Sequence, residues 1–479
     1  MTRRNMKLTA SGLWTLPLAL SLVITGCGRT TETTTSTVTQ STVEQSSEQA
    51  TDEESLSAAE ETSADEAFSL TRDDLTINET ITDDADESHA IAADGTQETY
   101  SNVEVIKTSE ADGDEADFYG TNAAVFATNG GTLDLSDLIV TSNGTHANAV
   151  FSYGEGSTVN ISHSLIETTG NCSGGIMVTG GGTLNATDLY IHTTGNSSAA
   201  IRSDRGGETE NVTGGTYITD GTGSPVIYST ADVTVSDATL TSTASQGVVV
   251  EGKNSVTLND VDLNASNTTK NSDKSEWYQA VMIYQSMSGD AAEGKASFTM
   301  TDGSLTNSNG DIFFVNNTVA DISLDDVDIT NEDAEGVLLR AAAAGWGNEG
   351  SNGGHVTLTL ADEQVSGDIV VDEVSELNAY LTEDTSYEGA INTANEGSVY
   401  LQIESGSTWT LTGDSYVDAL TCDADAINLN GHTLYVNGVA YQEGTASTGE
   451  AIEFTVASSS GMPDSAPGEM GEPPAKPGN

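Results

Sequence analysis

The residues that could do chemistry fall into a few sets. Trp277, Tyr278 and Trp346 are aromatics next to Asn, Asp and Ser, and Trp277 and Trp346 are two of the chain's four tryptophans. An indole on a projecting loop can stack on a sugar face while its neighbours hydrogen-bond the hydroxyls, so these three are the carbohydrate-binding candidates. The same rings could instead pin their loops to a scaffold. Arg202, Asp204 and Arg205 place a carboxylate close to two cations, an arrangement suited to a base or to charge stabilisation, or one that merely offsets an acidic surface. Asp325, Asp326 and Asp328 could offer oxygens to a structural Ca²⁺, although the chain has neither an EF-hand loop nor Gly-Gly-x-Gly-x-Asp repeats. The six histidines show no period or clustering that would mark a metal site or a triad. With 74 carboxylates in the chain, a pair at glycosidase spacing arises by chance and carries little weight.

What would position these residues is a repeat. A strand motif recurs as TLDL at 132, TVNI at 158, TLNA at 183, DVTV at 232, SVTL at 255, SFTM at 297 and DISL at 321. A second motif trails it in phase, as in IVT at 139, IET at 166, IHT at 191 and LTS at 240. A third, more continuously apolar one completes each period: AVF at 149, GIMV at 175, AIR at 200, PVIY at 225 and GVVV at 247. Three short strands per 22–27 residues, with Gly, Asn and Asp between them, predict an all-β parallel β-helix, or β-solenoid. A sandwich or a string of immunoglobulin-like domains would repeat near 80–100 residues, with inverted patterning. Like residues should stack inward, with a Thr/Ser/Asn ladder at one corner. Two interruptions, near 267–294 and 341–354, carry Trp277, Tyr278 and Trp346. Loops projecting from a rigid scaffold are where binding function is placed.

The repeat fixes the other boundaries. Residues 68–456 form the β-helix, with 68–100 expected to cap one end and the run at 452–456 to pair at the other. Residues 27–67, rich in Ser, Thr and Glu, read as a disordered tether, and 457–479, which hold five of the seven prolines, as a disordered tail. Cys172 and Cys422 lie 250 residues apart. That is about ten coils, or roughly 45–50 Å at the ~4.8 Å strand spacing. A disulfide needs Cα atoms within ~7 Å, so both are expected to be free thiols.

At the N-terminus, Arg3, Arg4 and Lys7 precede an apolar run over 8–24 that ends in ITGC at 24–27. A basic start, a short apolar core and small residues at a boundary make residues 1–26 a secretory signal. Pro17 and the borderline length oppose a permanent span. The tetrapeptide resembles the bacterial lipobox, which implies a diacylglyceryl group on Cys27, cleavage before it, and a cell-membrane anchor on the extracellular face. Removing 1–26, with three basic and no acidic residues, leaves 11 Lys+Arg against 74 Asp+Glu, a net charge of −63. Such a surface repels nucleic acid, so that partner is excluded.

The GGTL-x₄-L rungs at 130 and 181, QAVMIYQSMS at 279–288, WGxxGxNGG at 346–354 and LNGHTLYVN at 429–437 resemble the right-handed β-helix surface proteins of gut and anaerobic Gram-positive bacteria. These belong broadly to the pectate-lyase-like superfold, and their rungs are also similar to adhesin stalks. The resemblance covers about 100–440. It implies right-handed coiling and a surface setting, but not a chemistry, since this fold hosts lyases, hydrolases and adhesins. A lyase of this type would use Ca²⁺ and an Arg or Lys base, for which Arg202 with Asp204 and Arg205 is the best local match. The hydrolase signatures fit poorly. Asp325-Asp326 sits within SLDDVDIT, Gly431-His432 continues into Thr433, and Arg-Ile-Lys is absent. The expectation is therefore a lipid-anchored, non-catalytic surface protein, adhesin-like or carbohydrate-binding, taking a polysaccharide or host-surface glycan and needing no cofactor. A polysaccharide lyase or hydrolase and a structural spacer are the alternatives.

Overall fold

The computed structural model describes residues 68–454, apart from 271, 273, 287 and 290. The segments expected to be signal peptide, tether and tail, and Cys27 with them, lie outside the described residues. Strands stack in parallel into an 18-stranded and an 11-stranded sheet, with a 4-stranded and a 3-stranded sheet contributed by the C-terminal coils. This is an all-β parallel β-helix.

Each coil places its residues in register on the one before. On the 11-stranded sheet, Val125, Val150, Ile176, Ile201, Ile227, Val248, Val281, Phe313, Leu339 and Ile369 form one continuous column. All ten are at most 2% exposed. On the 18-stranded sheet, Leu133, Val159 and Leu184 begin a second inward column, which continues through Val233, Val256 and Phe298. Parallel stacking repeats every inward position at each coil, so one aliphatic choice is made again and again along the axis.

The bends select their own residues. Within the long strands Thr158–Thr168, Thr183–Thr193, Asp232–Ser242 and Ser255–Ala265, the chain turns at His163, Asp188, Asp237 and Asp260, all with φ of 43–56°. The left-handed region costs most L-residues ~1–2 kcal/mol, and Asp and Asn tolerate it best. Asp137, Asp302, Asp326 and Asp362 are further left-handed aspartates of this kind. Part of the acidic composition is therefore set by backbone geometry.

A second corner is written as a four-residue phrase: GTHA at 144, GNCS at 170, GNSS at 195 and GTGS at 221. Its glycines stack so closely that a Cβ on Gly195 would lie 1.9 Å from the carbonyl oxygen of Gly170. Its third residues, His146, Cys172 and Ser197, all have φ of 54°. Its serines form a ladder. The Ser198 hydroxyl accepts from the Ser173 amide at 3.0 Å, and the Ser224 hydroxyl from the Ser198 amide at 2.9 Å. On the outer face of the 18-stranded sheet, Asn211 donates to Asn185, Asn185 to Asn160 and Asn160 to Asp134, at 2.9, 2.9 and 2.8 Å.

Three expectations need correction. Residues 79–107 are not a separate cap but already form the first coil, pairing with the strands that follow. The preceding segment lies along the side of the solenoid, with Leu70 and Leu75 packed on Ile139 and Leu165. The run near 452 forms no strand as far as residue 454; instead Ile452 exchanges two hydrogen bonds with the Asn378 side chain, at 2.9 and 3.0 Å. Cys422 is a buried free thiol, whereas Cys172 is disulfide-bonded, so the free-thiol expectation fails at Cys172.

Candidate functional site

The outward positions of the 11-stranded sheet depart from the polar pattern of a solvated face. In register they read Phe126, Phe151, Met177, Arg202, Tyr228, Val249, Met282, Phe314 and Arg340. Apolar residues on both faces of a strand mean that the outer face is covered too. Near the N-terminal end the cover is the helix Asp114–Tyr119. Further along it is the pair of insertions, 266–278 and 342–353, joined by a bond from the Gly345 amide to the Lys274 carbonyl at 2.7 Å.

Beneath the insertions, Val249, Met282, Tyr284, Phe314, Ala342 and Trp346 form an aromatic cluster separate from the main core, with Tyr228 and Trp277 packed against it. Trp346 is only 4% exposed and meets Tyr284 edge-on at 5.2 Å. Asn352 holds its loop by donating to the carbonyls of Ala344 and Trp346, at 2.7 and 2.8 Å. Trp277 is half-buried, with Phe314 at 5.6 Å and the Arg340 guanidinium 4.7 Å from its ring. Arg340 is itself fixed by two bonds to Asp311, at 2.6 and 3.2 Å. Tyr278 lies apart from the cleft lining and carries the Lys270 ammonium 4.7 Å from its ring.

These pieces enclose a cleft of ≈ 540 Å³, its open mouth included, lined among others by Tyr228, Gln246, Lys270, Trp277, Tyr284 and Trp346. Two phenols of its lining, Tyr228 and Tyr284, donate to one oxygen of buried Glu251, at 2.5 and 2.9 Å. Burial first, and then the Glu251 carboxylate, hold both phenols well above their usual pKa. They are therefore fixed donors rather than proton acceptors.

Arg202, between the two covers, is buried and bound to Asp204 through Nε at 2.9 Å and Nη2 at 2.8 Å. Burial alone would lower its pKa, but the charges of Asp204 and Asp117 outweigh this and hold it above the usual value. A guanidinium in that state is a poor base. Arg205 lies 3.8 Å over the Phe118 ring. Asp326 and Asp328 are exposed, and with Asp325 their charges act on the nearby Glu363 carboxyl. Among the described residues, the one group of His, Cys and acidic side chains whose donor atoms all lie within 4.8 Å is Asp117, His146 and Cys172, so one of the six histidines does take part in a constellation. The signal for His146 and Cys172 was in the sequence, as the third residue of consecutive corner phrases. Asp117, on a non-repeating helix, had none.

No protein-family model matches the chain, and neither the curated proteins nor the solved structures include one significantly similar to it.

Proposed function

We propose that the chain is a lipid-anchored, adhesin-like surface protein, with a β-helix of the pectate-lyase-like kind, that binds carbohydrate without transforming it, in the cleft between its two insertions. The observation that carries this reading is the convergence of Trp277 and Trp346, from separate insertions, on one cleft with Tyr228 and Tyr284. Aromatic walls with a few polar groups suit a sugar, whose ring faces are apolar and whose edges are hydroxyls. On a glycan array the protein should bind a defined glycan set, and Trp277→Ala should weaken that binding at least tenfold. A blank array, or a Trp277→Ala variant that binds normally, would sink the reading. New reducing ends or unsaturated products released from the bound polymer would move it to a lyase or hydrolase.

The anchor is tested separately. The Ile-Thr-Gly-Cys boundary supports a diacylglyceryl thioether on Cys27. Cys27→Ser expressed in a lipoprotein-processing bacterium should appear in the medium. A variant still sedimenting with membranes rules the lipid out. Such an anchor and a tether of ~40 residues would carry a rod about 60–70 Å long, from roughly 14 coils at the strand spacing.

A further inference from the structure

We infer that the corner beneath the helix Asp114–Tyr119 is a site for one divalent transition metal of the zinc class, formed by Asp117, His146 and Cys172 and made available when the disulfide at Cys172 is reduced. The inference stands apart from carbohydrate binding, since these residues do not line the cleft. His146 and Cys172 occupy the same slot in consecutive corner phrases, both left-handed at φ 54°, so the coil repeat stacks one over the other. The helix then brings Asp117 over the corner. The three are 4%, 1% and 0% exposed, and their donor atoms lie within 4.8 Å of one another.

The surroundings favour a cation. His146 Nδ1 lies 2.8 Å from Asp117 Oδ1, so the two atoms already face each other at the separation of two ligands on one cation, once the imidazole proton resides on Nε2. Asp117 Oδ2 is buried and has no hydrogen-bond partner. A carboxylate oxygen left so is costly unless a donor or a cation meets it. Around the corner, Arg202 is the nearby cation and is already matched by Asp204. A Cys172 thiolate beside Asp117 would therefore leave negative charge that a divalent ion neutralises. Thiolate, imidazole and carboxylate together select zinc or cobalt over calcium, and three protein donors leave a fourth position for water. The following coils carry Ser197 and Gly223 in this slot, which confines the site to one pair of coils.

The chemistry balances simply. A phosphine with one water delivers two electrons to the disulfide, breaks the S–S bond and yields two thiols and the phosphine oxide. The metal then displaces the Cys172 Sγ proton to solvent. While the disulfide stands, the sulfur offers no thiolate.

The test uses the full chain with Co²⁺ as probe, in excess Ca²⁺ to occupy surface carboxylates. After phosphine treatment, the chain should bind one Co²⁺ with a thiolate-to-cobalt charge-transfer band, at least tenfold more tightly than before reduction. Cys172→Ser should lose the band and Cys422→Ser should keep it. The near-isosteric Asp117→Asn, which spares the fold, should weaken binding about tenfold. A Cys27→Ser/Cys422→Ser chain, with Cys172 as its only cysteine, should bind without the phosphine. The inference is overturned if the band survives in Cys172→Ser, if that single-cysteine chain binds no stoichiometric Co²⁺, or if reduction leaves Cys172 inaccessible to alkylation.

Discussion

Replacing Glu210 by leucine should raise the unfolding temperature by several degrees and remove much of the loss of stability between about pH 5 and 8. Glu210 sits between Leu184 and Val233 in an inward column that is otherwise aliphatic or aromatic from Leu133 to Phe298. It is 0% exposed, and neither carboxyl oxygen has a hydrogen-bond partner. A polar group buried without partners costs ~1–3 kcal/mol, and more if charged, so a leucine of similar size removes a penalty while keeping the column filled. Valine at the same position should gain less, because it leaves a void. A leucine variant no more stable than the wild type at pH 8 would show that the coil already accommodates the acid, for example by admitting water.

The pH dependence follows from the same burial. Desolvation, reinforced by the nearby Glu208, holds the Glu210 pKa well above the usual value. Glu208, pressed against the Gly180–Gly181 backbone, is pushed up to about 8, mainly by burial and further by Asp204. Glu363 is raised to about 7 by burial, with Asp326, Asp325 and Asp328 adding to it. Raised carboxyl pKa values mean that the folded state keeps protons which the unfolded chain releases above about pH 4.5. Their contribution is fully present below that pH and is lost as pH rises, through about 7 for Glu363 and about 8 for Glu208. Melting followed at pH 5 and pH 8 should show the lower temperature at pH 8. The combination Glu208→Gln, Glu210→Leu and Glu363→Gln should flatten the difference, apart from what the net charge of −60 contributes through self-repulsion.

The coils were legible because parallel stacking makes neighbouring coils ask for the same residue type at the same position, which is how TLDL, TVNI and TLNA came to mark the 18-stranded sheet. Glu210 is hard to read for the complementary reason. Its strand, TENV at 209, breaks the motif, so the spacing jumped 49 residues from 183 to 232. A gap of two periods marks a coil with an odd core residue. The continuous apolarity of GIMV and GVVV is written in the sequence, but the cover it implies over the outer face of that sheet comes from the helix and insertions, which lie outside the repeat. The acidic corners were legible as turns, not as a left-handed ladder, because φ is not written in residue type alone. Loop positions for Trp277 and Trp346 were readable from the broken period. Their meeting was not, since nothing in a sequence repeat states where two insertions point.

That meeting makes Trp346→Ala the more drastic of the two tryptophan substitutions. Its indole is 4% exposed and packs with Tyr284 in a cluster detached from the solenoid core. Loss of a buried tryptophan costs ~3–5 kcal/mol where the site cannot collapse. Here the cost falls on the insertions, which are tied to the coils by this cluster and to each other by the Gly345–Lys274 bond at 2.7 Å. Stability in a solenoid is local, so the coils should melt close to the wild-type temperature while amide exchange in 266–278 and 342–353 speeds up at least tenfold. Glycan binding should vanish with the cleft wall. Trp277→Ala, by contrast, removes a half-buried ring that Phe314 and Arg340 flank, and should lose binding with little change in exchange at 342–353. If Trp346→Ala keeps both slow exchange and glycan binding, the insertions are held by their backbone alone and the aromatic cluster is packing without consequence. If exchange rises but binding persists, the ligand sits elsewhere on the solenoid.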